Sequence, residues 1–332
     1  MKGSYSSGLK KEGQKIDEAH TPIIAQELED FWEFYWETRL RPIENLGKRA
    51  AILAASRLIR KHAQAQQRPL RVLELGCGEG QIIGSLLDAH FQVCDIRSSV
   101  GVDHDPRSLM RCRQNYPGMG WVEGDFTELA VLEELGKFDL VLLVNALHEV
   151  FSAGYSPETG EIDVPLAKQR VEQALLGIKT CVSPGGYLVV FDGLEPSGDP
   201  SQKVQIQFLS DQAREEFELF VRQYHPFRIR YREVDTAWTV EMSRRDFTRY
   251  ITKSIFVRKV LWEKERFESY QYYSEAEFRE VLGRLGFEIS EAATFTVNGE
   301  KWRDRIKIQP SEDEFPIEHI LILAYRPLNE SS

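Results

Sequence analysis

The stretch VLELGCGEG, Val72 to Gly80, sets an acid near the end of an apolar run and then a glycine at every second position. Glycines so spaced let backbone N–H groups come close to a ligand, and a helix opening behind the turn adds its positive end. Glu74 places a carboxylate beside that turn, where a pyrophosphate would be repelled, so a phosphate-free ligand with a cationic end suits it better. The order Gly76, Gly78, Gly80 also brings the third glycine one place earlier than the G-x-G-x-x-G of dinucleotide sites. Further on, Asp103 closes VGVD, Asp125 follows MGWVEG, and Asn145-Ala146-Leu147-His148-Glu149 follows DLVLLV. A histidine of ordinary pKa accepts a proton near neutrality, which makes His148 the expected general base and Glu149 its alternate. Plainer roles exist for each: Glu74 and Asp125 as caps on neighbouring N–H groups, Cys77 as a small residue in a tight turn, His148 as a packed side chain.

These residues need strands and helices to hold them. From Pro69 to Pro196 short β-type runs (LRVLEL, SVGVD, MGWVEGD, KFDLVLLVNAL and GYLVVFDGL) alternate with helical segments, the rhythm of βαβ units feeding a parallel sheet. Before them, residues 1–21 read as a flexible leader and 22–67 as a helical cap with one helix on each side of Pro42. Residues 197–270 read as an α+β insertion over the sheet edge, where VQIQF and FRIRYREV alternate and Ser243 caps a helix. After it, Ser274 and Glu277 form a capping box, Gly286 stops that helix, and FEISEAATFTV and HILILAYRP supply the last two strands.

Composition bounds the rest. With 332 residues, 42% of them hydrophobic, the chain can bury a full core, and no apolar run reaches the ~18 residues of a membrane span. The four cysteines lack C-x-x-C spacing, so neither zinc nor a disulfide framework is expected, and a cytoplasmic location follows. A net charge of −10 argues against broad nucleic-acid binding. Between Arg222 and Arg266, however, twelve Lys/Arg face six Asp/Glu, leaving −16 for the rest. That segment is either a salt-bridged surface or a contact for something anionic.

Val72 to Gly80 resembles motif I of the class I, Rossmann-like S-adenosylmethionine-dependent methyltransferases, and VGVDHD, EGDF, FDLVLLVNALHEVF and SPGGYLVVFDG match the family's later motifs in order. The resemblance implies an α/β, doubly wound, mostly parallel seven-stranded sheet built from 68–196 and 271–330. It implies S-adenosylmethionine as cofactor, S-adenosylhomocysteine as product, and no metal. Carried over motif by motif, it assigns cofactor contacts to Glu74 (methionine amino group), Gly76, Cys77, Gly78, Gly80, Asp103 (ribose hydroxyls), His104, Asp125 (adenine amino group), Phe126 (adenine ring) and Asn145. The interval of 27 positions from Gly76 to Asp103 is long and leaves Asp105 as the other ribose acid.

Asn-Ala-Leu-His-Glu is similar to the L-H pattern of small-molecule O- and C-methyltransferases, and it lacks the Asn-Pro-Pro-aromatic run of the DNA and glutamine N-methylating types. The expected acceptor is therefore a small or medium organic molecule, with oxygen ahead of nitrogen and carbon. It would be roofed by the N-terminal helices and the 197–270 lid, with Trp36 and Tyr272 lining the roof and Arg244, Arg245 and Lys253 holding any anionic group. RNA or protein methylation through 222–266 is the second reading and a non-catalytic binding protein the third. Homodimerisation stays open.

Overall fold

The computed structural model describes residues 46–65, 68–234, 238–296, 299–309 and 315–328. The expected leader, the first helix of the cap and Trp36 lie outside them. Helix α1 (Leu46–Ala65) leads to β1 (Val72–Leu75), α2 (Gln81–Ala89), β2 (Val100–Asp103), α3 (Pro106–Asn115), β3 (Gly120–Glu123), α4 (Leu129–Leu135) and β4 (Phe138–Val144). Then come α5 (Leu147–Ser152), a small hairpin of β5 (Tyr155–Ser156) and β6 (Glu161–Ile162), α6 (Val164–Cys181) and β7 (Val182–Gly193).

The main sheet has seven strands in the order β11-β13-β7-β4-β1-β2-β3, where β11 is Glu288–Phe295 and β13 is His319–Tyr325. β13 pairs antiparallel with both neighbours, and the remaining pairings are parallel. The apolar run of β4 is explained by two covered faces. Leu140, Leu142 and Val144 pack with Ile59 of α1 and Ile83 of α2, whereas Val141 and Leu143 pack with Val171 and Ile178 of α6 in the larger core. The chain runs from β1 outward to β2 and β3 and then returns to the other side of β1 as β4, so the strand order reverses between β1 and β4. Open α/β sheets bind ligands at the carboxyl ends of strands beside such a reversal, and Glu74 and Asn145 stand there.

The insertion contains β8 (Lys203–Phe208), α7 (Asp211–Gln223), β9 (Tyr231–Glu233), β10 (Thr239–Ser243), α8 (Arg244–Lys253) and α9 (Trp262–Glu265). Ser243 caps α8 by accepting from the Asp246 N–H at 3.0 Å. Ser274 and Glu277 form the capping box of α10 (Glu275–Arg284). One pairing crosses the expected boundary. After a short α11 (Gly299–Trp302), β12 (Ile306–Gln309) leaves the main sheet and pairs antiparallel with β8, giving a separate four-stranded sheet β12-β8-β10-β9. Trp302, fully buried, fastens this crossing by donating its indole N–H to the Ile251 carbonyl at 2.9 Å. Among the described residues no helix is long and apolar enough to cross a membrane.

Candidate active site

The glycine turn takes its shape from backbone that side chains rarely adopt: φ is 70° at Gly76, 53° at Gly78 and 73° at Gly80. Gly76 and Cys77 donate to the Val102 carbonyl at 2.9 and 3.0 Å, and Gly78 donates to Asp103 Oδ2 at 2.7 Å, so the turn is tied to the end of β2. Gly80 offers α2 no side-chain cap. Glu74 supplies one from the strand below, with Oε2 accepting the Ile83 N–H at 3.0 Å.

Around this turn opens a cavity of about 860 Å³, toward the upper end of the ~300–1,000 Å³ typical of small-ligand sites. Glu74, Gly76, Cys77, Gly78, Asp103, His104, Asp105, Asp125, Phe126 and Asn145 line one part of it; Glu149, Val150, Ala153, Arg170 and Lys264 line another. Burial pushes the Glu74 carboxyl up to about 8, against the opposing pull of the Ile83 N–H and the Lys48 charge. Burial likewise raises Asp103, opposed by the Asp105 and Gly78 N–H groups. Asp103 accepts one N–H on each oxygen, at 2.7 and 2.9 Å, which leaves further lone pairs for a pair of hydroxyls. Asp105 is engaged otherwise, capping α3 through Arg107 and Ser108 N–H groups.

A family profile described as a methyltransferase domain matches residues 73–190, from the first strand to the middle of β7. Residues 73–190 carry a methyltransferase domain. The match spans the glycine turn and every cofactor position named above. No curated protein matches the chain. Similar solved structures include magnesium protoporphyrin IX methyltransferase from Synechocystis PCC 6803 with S-adenosylhomocysteine, 12% identical, covering 91% of this chain and 95% of that one at a TM-score of 0.46. Another is the N-methyltransferase NodS of Bradyrhizobium japonicum WM9, also with S-adenosylhomocysteine, at 13% identity, 91% and 97% coverage and a TM-score of 0.44. A third is an S-adenosylmethionine-dependent methyltransferase of Mesorhizobium loti, at 16%, 81%, 98% and 0.42. The assignment rests on the matched stretch, not on these overlaps.

The methyltransferase site fits its cofactor on chemical grounds. Asn145, held at φ 54° with its N–H on the Phe191 carbonyl, lines the cavity and keeps a buried Oδ1 with no hydrogen-bond partner among the described residues. Gln81 lines the same cavity with a buried Oε1 that has no partner among the described residues. Buried acceptors without donors are costly, and a ligand bearing an ammonium group satisfies them. Phe126 is half-buried against the larger core cluster and offers its ring to a planar base.

The structure places His148 away from the cavity. The residue is fully buried and does not line the cavity, whereas Glu149, one position on, does. His148 Nδ1 lies 2.9 Å from Asp192 Oδ1, and Nε2 lies 3.5 Å from Glu268 Oε2. Burial alone would lower its pKa, but the two carboxylates outweigh burial and hold it above the usual value. With one ring nitrogen on Asp192, the other facing Glu268 and no part in the cavity lining, the imidazole belongs to a buried ionic cluster. Tyr270 stacks on it with ring centroids 3.7 Å apart, and Lys253 Nζ sits 2.6 Å from Glu265 and 3.0 Å from Glu268. His148, Glu149 and Glu268 bring possible metal-ligand atoms within 4.8 Å of one another, yet Lys253 and Lys264 already meet their negative charge.

The anion-binding expectation shifts in the same way. Lys253 is wholly inside the cluster, Arg245 pairs with Glu195 at 2.8 Å, and Arg244 leans on Gln202; none of them lines the cavity. Tyr272 is buried against Phe151. The insertion instead reaches the cavity through Lys264 of α9, whose Nζ is 3.3 Å from Glu149 Oε1. Two more contributors escaped the sequence reading. Asp192, at the end of β7, caps α5 from outside by accepting from the Ala146 and Leu147 N–H groups at 3.0 and 2.8 Å, and so sets the helix that presents Glu149. Lys48 of α1 lines the cavity while only 5% exposed.

Proposed function

We propose that the protein transfers a methyl group from S-adenosylmethionine to a small or medium-sized organic acceptor, at oxygen in preference to nitrogen or carbon. The observation that carries this reading is the sharing of one cavity by the glycine turn and Lys264 of the insertion. An acceptor must then fit between the carboxyl end of β4 and a roof formed by 203–270 together with 299–309. The cofactor supplies an electrophilic methyl on a sulfonium. When the methyl group is transferred, Glu149 would take the proton lost by an O–H or N–H acceptor. The protein's part is alignment, exclusion of water and that proton transfer. Asp103 holds the ribose hydroxyls, Asp125 the adenine amino group and Phe126 the ring.

A macromolecular acceptor gains no support from the basic segment. Among the described residues at least seven of its twelve cations, namely Arg232, Arg245, Arg249, Lys253, Arg258, Lys264 and Arg266, pair with carboxylates of the fold. A phosphate backbone requires cations clear of such pairing. The four free, buried cysteines suit a reducing, cytoplasmic setting. Incubation with methyl-labelled S-adenosylmethionine and a size-fractionated cell extract tests the reading. Label in the metabolite fraction supports it, and label confined to protein or RNA overturns it.

A further inference from the structure

We infer that the methyl acceptor carries an acidic group, a carboxylate or a phosphate, and that Arg170 of α6 seats it in the part of the cavity lined by α5, α6 and α9. The inference rests on the small-molecule reading above and adds the chemical class of the acceptor.

The first observation is the pair of helix faces that meet this space. Arg170, Gln173 and Ala174 stand at i, i+3 and i+4 on α6, so they share one face, and all three line the cavity. Glu149, Val150 and Ala153 bring the end of α5 to the same space. Val150 and Ala174 are buried and apolar, whereas Glu149, Arg170, Gln173 and Lys264 are polar. Apolar walls with a few polar groups suit an organic body bearing its own polar ends.

The second observation is the balance of charge there. Lys264 is matched within the protein, with Nζ 3.3 Å from Glu149 and 3.8 Å from Glu268. Arg170 is placed differently. Its Nη1 donates to the Ala153 carbonyl, and among the described residues it pairs with no carboxylate. A guanidinium has five N–H donors in a planar fork, so the bond to Ala153 orients the group and leaves donors for two acid oxygens side by side. Arg170 is exposed, and an entering molecule reaches it without opening the fold. Around the glycine turn the lining charges run the other way, with Asp103, Asp105 and Asp125 against Lys48. An acidic acceptor is repelled there and drawn to Arg170, which orders it along the cavity and leaves its O–H or N–H for Glu149.

The test incubates the protein with methyl-labelled S-adenosylmethionine and the metabolite fraction of a cell extract, then separates labelled products by anion exchange. The label should be retained as an anion, because the acid on Arg170 is not the group methylated. For Arg170→Met, labelling should fall about tenfold or more, as expected for lost hydrogen bonds between charged groups, while calorimetry finds S-adenosylhomocysteine affinity unchanged. That unchanged affinity also reports a folded cavity. Arg170→Lys keeps the charge without the fork and should recover part of the labelling. Phosphatase treatment of the product tells the two acids apart, since retention is lost for a phosphate and kept for a carboxylate. Labelled metabolites that are all neutral or cationic, full labelling by Arg170→Met, or loss of S-adenosylhomocysteine affinity in both variants would overturn the inference and leave the small-molecule reading standing. Absence of label from the metabolite fraction would instead remove that reading, and the inference with it.

Discussion

Glu74 and Glu268 are both buried glutamates of this site, 2% and 6% exposed, and they sit in opposite electrostatic states. Glu74 meets a single backbone N–H, and burial carries its carboxyl to about 8. Glu268 feels the same burial, but Lys253 at 3.0 Å, His148 at 3.5 Å and Lys264 at 3.8 Å hold it well below the usual range. The difference separates two tasks. Around Glu268 the charges are matched within the protein, which joins the insertion to the end of β4. Around Glu74 acceptors are left over, and unspent polarity of that kind marks a place for a ligand.

The contrast breaks most visibly on the matched side. Lys253→Met would strand Glu265 and Glu268 in the interior, and removing one partner of a buried ion pair costs about 3–5 kcal/mol. Urea unfolding should register that loss, and a change under ~1 kcal/mol would show that the cluster does not hold the roof. Next in size, Glu149→Gln should slow turnover by about a hundredfold, within the range for loss of a general base, with S-adenosylhomocysteine affinity unchanged in calorimetry. Normal turnover would remove Glu149 as the base. Asp103→Ala should weaken S-adenosylhomocysteine binding about tenfold, as expected for lost hydrogen bonds to a carboxylate. An unchanged dissociation constant would mean that the ribose lies elsewhere.

How far the sequence foretold this arrangement depends on the range of each signal. The glycine turn, the Ser243 cap and the Ser274–Glu277 box are written in a few adjacent residues, and the structure has all of them. The apolar runs of β1, β2, β4 and β7 were equally plain because both faces of the sheet are covered. The pairing of Ile306–Gln309 with β8 joins segments about a hundred positions apart, and no local pattern announces it. The cations Arg245 and Lys253 looked available because Glu195, Glu265 and Glu268 reach them only through the fold. His148 and Glu149 are a different case. Adjacent helical residues point about 100° apart, so only one of them could face the cavity, and sequence order does not say which. Lys48 had one faint signal, the glycine before it in an otherwise apolar helix face.

The finest test of the contrast uses pH. The Glu74 carboxyl lies at about 8 in the folded chain against an ordinary 4.5. Between those values the folded state binds more protons than the unfolded state, so Glu74 makes stability fall as pH rises, by at most ~1.4 kcal/mol per pH unit. His148 acts in the same direction. Its pKa is raised, so its stabilisation is complete below 6.5 and is lost as pH rises through the raised value. The two contributions overlap in the unsubstituted protein, but Glu74→Gln removes only the first. Denaturant unfolding between pH 5 and 8 should therefore show a shallower decline for Glu74→Gln. S-adenosylhomocysteine should flatten the slope of the unsubstituted protein in the same way, because an ammonium beside Glu74 favours its charged form. If the variant and the ligand both leave the slope unchanged, Glu74 is already ionised and matched as Glu268 is, and the division between a closed cluster and an open one fails.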